Sequence, residues 1–159
     1  MIVPSENLYC IIRRYNNGRH PDECKKRTQE MAGAHMELLG VAREDQEGRK
    51  KMTERNLNFF GAPAVMFLCM DIRLSQWSHY DLGAFSQSLM LAAQHYGLNT
   101  IPAIMMAVYP DVIREELAIP DNYLIAIAIA LGYAEKDDLQ NQFYTTRKPL
   151  DEFVRIKGI

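Results

Sequence analysis

Residues 124–132 read LIAIAIALG, and no other stretch restricts the fold of this chain as strongly. Large and small apolar residues alternate. An extended strand would therefore carry Ile125, Ile127 and Ile129 on one face and Ala126, Ala128 and Ala130 on the other. With both faces apolar, the strand must be covered on both sides, and the alanine face suits a closely packed helix. AVMFLCMD at 64–71 is a second continuous apolar run of strand length. A chain of 159 residues, 48% of them hydrophobic, can bury a core around two such strands.

The segments between them read as helices. Pro21 stands where a helix takes its first residue, and Asp22 and Glu23 follow with charges that suit the positive helix end. Cys24, Met31, His35 and Leu38 recur at helical spacing, and Gly40 stops the helix. A charged second helix covers residues 43–58, with a thin apolar edge at Met52 and Leu57, and ends at Gly61 and Pro63. DLGAFSQSLMLAAQHY at 81–96 predicts a further helix. Leu82, Phe85, Leu89, Ala92 or Ala93, and Tyr96 form its stripe, with Ala84 and Leu91 off it. Apolar nearly all round, this helix is expected to be central, and its small residues admit a close neighbour, either in the same core or in a dimer. Gly97 caps it. GLNTIPAIMMAVYP at 97–110 is expected to be irregular, because Pro102 withdraws a donor from any ladder. Pro110 begins a short helix that Pro120 keeps from continuing. A short apolar piece, LYCII at 8–12, precedes the turn-rich YNNG at 15–18. The end of the chain, NQFYTTRKPLDEFVRIKG, reads as a polar extended stretch with a short helix from Pro149. Two buried strands among five helices make an α+β fold, expected as a single domain over 1–159.

Charge and composition exclude several classes of function. The net charge is −2, with 18 basic against 20 acidic residues, so nothing draws the chain generally toward nucleic acid. Three cysteines without paired spacing suit reduced thiols, and four separated histidines make no metal-binding pattern. No apolar run reaches the ~18 residues of a membrane span, and the N-terminus lacks the layout of a signal peptide. A soluble cytoplasmic protein without nucleic-acid or membrane partners is expected. No P-loop, dinucleotide fingerprint, nucleophile elbow or carboxylate pair is present. Asp71, at the end of a strand, reads as a loop cap rather than a catalytic acid. Trp77 and Tyr80 read as anchors for the start of the helix that follows.

Four blocks in order resemble the FMN-dependent nitroreductase family. They are NFFGAPAVMFLCMD, WSHYDLGAFSQSLMLAAQHYGLNTIPA, YPDVIREELAIPDNYLIAIAIALGYA and TTRKPLDEFV, spread over about residues 42–158. The D-x-G-x-x-x-Q-x-x-x-L-A-A-x-x-x-G-L helix, the proline loop and the terminal R-x-P-L are specific in combination. The resemblance implies an α+β sandwich, a small central sheet flanked by helices, working as an intertwined homodimer. It implies FMN at the subunit interface, taking hydride from NADH or NADPH and passing electrons to nitroaromatics, quinones or similar small acceptors by a ping-pong cycle. The flavin carries the chemistry, so no catalytic side chain is implied.

Matched residue by residue, Pro102, Ala103, Ile104 and Met105 occupy the stretch that runs past the flavin ring, where family members often have Gly or Ala in place of Met105. Arg147 matches a phosphate-binding arginine, and Thr145 stands where some relatives carry a second basic residue. Asn58, with Arg55 behind it, lies where relatives contact the ribityl–phosphate end. Ser5 and Asn7, in PSEN at 4–7, match a shortened remnant of an N-terminal P-S-x-x-N segment. The family's R-R-S-x-R motif has no counterpart, and Arg13 and Arg14 follow LYCII instead of preceding it. A hydrogen bond to a charged group is worth ~1.5–3 kcal/mol, so a phosphate site short of two of them holds FMN more weakly by on the order of a hundredfold or more. The alternatives are a truncated, flavin-poor, non-catalytic dimeric protein that binds small molecules or acts as a scaffold, and a fragment of a longer chain.

Overall fold

Residues 21–158 are described by a computed structural model. In chain order the elements are α1 (Asp22–Leu38), α2 (Gln46–Leu57), β1 (Ala64–Asp71), α3 (Gln76–His95), β2 (Asn99–Ala103), α4 (Pro110–Leu117) and β3 (Tyr123–Gly132). They fall into two compact units, Glu44–Ala134 and Pro21–Arg43 with residues 135–158. LYCII, Ser5, Asn7, Arg13 and Arg14 lie outside the described residues.

In the larger unit an antiparallel sheet runs in the order β1-β3-β2. The strand apolar on both faces takes the middle, where a neighbour on each side satisfies its backbone. The third strand corrects the reading of 97–110 as irregular, since Pro102 sits within β2, opposite Ile129. An edge strand tolerates proline, because a position facing away from the ladder loses no hydrogen bond.

A bulge corrects the expected faces of β3. Leu68 pairs with Ile127 and Cys69 with Ile125, so Ala126 is the extra residue. Alternation shifts by one there. Ile125 therefore joins Ala128 and Ala130 in one core with Met106 and Ala107, rather than lining up with Ile127 and Ile129. Phe59, Phe60, Val65, Phe67 and Ile113 pack against this cluster. The alanine face is thus covered by phenylalanines, the 3-10 turn Ile104–Ala107 and α4, not by one closely packed long helix. Small alanines leave depth that bulky rings and Met106 fill. On the opposite face Leu68, Met70 and Ile129 are buried, and α3 neighbours β1 and β2.

Helix α3 begins at Gln76, earlier than the apolar pattern implied. Trp77 and Tyr80 lie in its first two turns, 74% and 77% exposed, so they do not anchor its start. Its inward line is Ser78, Leu82, Ser86, Leu89 and Ala93, while Phe85 and Tyr96 fall outside it. Ala93 alone is buried, so within one chain this helix is peripheral rather than central. Gly97, at φ +78, ends it: its N–H donates to the Gln94 carbonyl and that of Leu98 to Ala93. This double bond pattern is the Schellman closure, and the left-handed residue it requires favours glycine.

The smaller unit holds α1 and the C-terminal segment. His35 stacks on Phe143 with ring centroids 4.6 Å apart. Two 3-10 turns, Leu139–Gln142 and Leu150–Glu152, interrupt an otherwise irregular chain. The second follows Pro149, where a short helix was expected. Among the described residues no helix is long and apolar enough to cross a membrane, and no group of ligands could hold a metal ion.

Candidate functional site

The candidate residues of the larger unit gather around the end of β2. Pro102 and Ile104 are exposed, Ala103 and Met105 half-buried, and Met106, Ala107 and Val108 buried. The core is therefore filled by Met106, and Met105 stays at its margin. A 3-10 turn leaves its first N–H groups without partners inside the turn. Ile104 and Met105 therefore bring backbone donors to an exposed apolar ledge. Such a ledge fits a planar ring with a polar edge. Asn99 at the start of β2 accepts a hydrogen bond on Oδ1 from the Ala134 N–H at 3.0 Å, tying the strand to the chain that leaves β3. Sequence reading missed Asn99, because its partner is distant along the chain.

Helix α2 lies beside the Ile104–Ala107 turn and ends at Asn58. The Asn58 side chain is exposed and makes no hydrogen bond among the described residues. Phe59 and Phe60 follow with φ of 53° and 57°, left-handed values that cost roughly 1–2 kcal/mol per residue. Packing of both rings on the core offsets that cost, with Phe59 edge-on to Phe67 at 6.2 Å. Asn58 is thereby held at a sharp, well-anchored corner.

In the smaller unit, Thr145 and Arg147 form one polar group. Arg147 Nη1 donates to the Thr145 carbonyl at 3.2 Å, the Thr145 hydroxyl at 2.5 Å and the Thr146 carbonyl at 3.0 Å. Among the described residues no carboxylate pairs with Arg147. Its remaining donors and the Thr145 hydroxyl proton are suited to an anion, which a planar guanidinium can bind bidentately. Lys148, the next residue, behaves oppositely. Its ammonium lies 3.1 Å from Glu23 and 3.1 Å from Glu152. The hydrogen bonds to Glu152 and Glu23 raise the Lys148 pKa, and the bond from Lys148 lowers that of Glu23. Lys148 was not singled out from the sequence; its one local signal is an acid four residues on.

The structure thus brings Asn58's helix beside the 104–107 turn in one unit, and Thr145 beside Arg147 in the other. Asp71 closes a loop, as its position implied. It accepts from the Arg73 N–H at 2.9 Å, from Arg73 Nε at 2.8 Å and Nη2 at 2.6 Å, and from Asn122 Nδ2 at 3.0 Å. The Arg73 side chain, above all, holds its carboxyl well below the usual carboxylate range. Burial pushes the Cys69 thiol up.

The Nitroreductase family model matches residues 18–133. Chloronitrobenzene nitroreductase of Comamonas testosteroni is 37% identical over 115 residues, 72% of this chain and 51% of that protein. Nitrobenzene nitroreductase of Ectopseudomonas oleovorans is 34% identical over 118 residues, 74% of this chain and 52% of that protein. The crystal structure of the FMN and NADPH-dependent nitroreductase NfnB from Sphigopyxis sp. strain HMH superposes with a TM-score of 0.82 at 27% identity. That superposition covers 97% of this chain and 74% of the other. The chain spans about half the length of the curated relatives it matches.

Proposed function

The chain belongs to the nitroreductase family, and from that premise we propose that it is an FMN-dependent oxidoreductase. It passes electrons from NAD(P)H to nitroaromatic, quinone or similar small acceptors by a ping-pong mechanism. The observation that carries this reading is the 37% identity to a chloronitrobenzene nitroreductase over 72% of the chain. The fold supports it through a 27%-identical structure whose protein is FMN and NADPH-dependent.

FMN, when bound, would supply the redox chemistry of hydride uptake and electron delivery to the acceptor. The protein's part is to hold and tune it. The Pro102–Met105 ledge would cover the ring, and its backbone donors would stabilise negative charge developing on the ring's polar edge. Arg147 and Thr145 would bind the phosphate, and Asn58 the ribityl–phosphate end. Ser5 and Asn7 are assigned to the same cofactor from the sequence alone.

The same reading includes a homodimer and a cytoplasmic location. Trp77, Tyr80, Ala84 and Leu91 form an exposed stripe at helical spacing on the outer side of α3, of the kind that marks a partner surface. Cys24 and Cys69 are free thiols.

A titration of purified protein with FMN tests the proposal. Expected are bound flavin, bleaching of its absorption by NADH or NADPH, and recovery on adding nitrobenzene. A colourless dimer that takes up no FMN would sink it and favour the non-catalytic alternative.

A further inference from the structure

Residues 143–149 have no ladder to hold them, yet two side-chain contacts pin their ends to α1. Phe143 stacks on His35 in the last turn of α1, and Lys148 pairs with Glu23 in its first turn. The segment therefore runs antiparallel to the helix. Glu23 and His35 stand twelve residues apart, about 18 Å along a helix rising ~1.5 Å per residue. The five steps from Phe143 to Lys148 reach about 17–18 Å at full extension. The span is close to taut, with the long Lys and Glu side chains taking up the difference. Pro149 biases Lys148 itself toward extended backbone, which lets it reach Glu23. Arg147, the residue before it, is left exposed. The two adjacent cations thus have opposite fates, one held by two carboxylates and the other by none among the described residues.

We propose that Lys148 is a positioning residue: held between Glu23 and Glu152, it stretches residues 143–148 along α1 and presents Arg147 with Thr145 as a ready-formed anion-binding pair. The proposal rests on the reading of Arg147 as a contact of the FMN phosphate. No phosphate contact is assigned to Lys148, because its ammonium is already paired with two carboxylates. The side chains of Lys148, Glu23 and Glu152 are 39%, 70% and 48% exposed, and ion pairs that exposed add little to global stability, so substitutions here leave the chain folded.

The test titrates the full chain with FMN and, separately, with riboflavin, which lacks the phosphate. Arg147→Ala is expected to weaken FMN roughly tenfold or more and to leave riboflavin unchanged. Lys148→Met is expected to weaken FMN less than Arg147→Ala does, again without touching riboflavin, and Lys148→Arg to restore it. The double variant should lose little beyond Arg147→Ala alone, since a residue acting chiefly through Arg147 has only Thr145 left to position. Wild-type FMN affinity in Lys148→Met, or losses that multiply in the double variant, overturn the proposal alone. An unchanged affinity in Arg147→Ala overturns the phosphate reading and the proposal together. A second readout needs no flavin: trypsin should cut after Arg147 faster in Lys148→Met than in the wild type. Equal rates would remove the clamp.

Discussion

Asp71 shows how a single carboxylate can be spent wholly on structure. It ends a buried strand beside exposed aromatics, yet both of its oxygens are occupied by Arg73 and Asn122. Its folded pKa lies below the value near 3.9 of an unfolded chain, with the Arg73 hydrogen bond as the main cause. The sign follows from linkage. A depressed pKa contributes stability that is fully present above about pH 4 and is lost as the pH falls below it. Asp71→Asn should therefore lower the urea midpoint at pH 7 and flatten its fall between about pH 4 and 2. A variant whose midpoint falls with acid as steeply as the wild type's would contradict the assignment. The same scale separates Arg147 from Lys148. Both are exposed basic residues in one tripeptide, and only their partners tell them apart.

Among the elements, β3 is the most informative. Its alternation of isoleucine and alanine was plain in the sequence, and so was its need for cover on both faces. The bulge at Ala126 was not legible, because a bulge is a property of two paired strands. Its consequence is measurable. Ile125 is fully buried and Ile127 only partly so. Ile125→Ala should cost about 2–5 kcal/mol, as for a large-to-small change in a core, and Ile127→Ala distinctly less. Equal losses in chemical denaturation would mean that the regular alternation holds after all. Strand β2 gives the complementary case. Pro102 argued against a ladder, and only the edge position of β2 makes a proline acceptable there. The Gly97 cap, by contrast, was readable, since a helix C-terminus and its closing glycine are local.

At the scale of the whole molecule, the outer side of α3 poses the main question. A helix apolar nearly all round was expected to be central, yet one chain buries only Ala93 of it. The proposed homodimer resolves the mismatch by covering the second face. Leu91→Glu should then convert the protein to a folded monomer, since Leu91 is 61% exposed within one chain and packs no core there. Sedimentation would report the change in mass and circular dichroism the retained fold. A Leu91→Glu protein that stays dimeric would move the interface elsewhere.

The sequence by itself determined the helices α1 to α4 and the strands β1 and β3, though not β2; it also determined where proline and glycine stop those elements and which family the chain resembles. Those properties rest on periodicity and local backbone preference, which act over a few residues. Tertiary structure decided the strand order that makes Pro102 an edge residue, the register that moves Ile125 onto the alanine face, and the pairing that anchors Lys148 while leaving Arg147 exposed. Each depends on groups far apart in the chain meeting in space. Glu23 and Lys148 stand 125 positions apart, and no local pattern announces their contact.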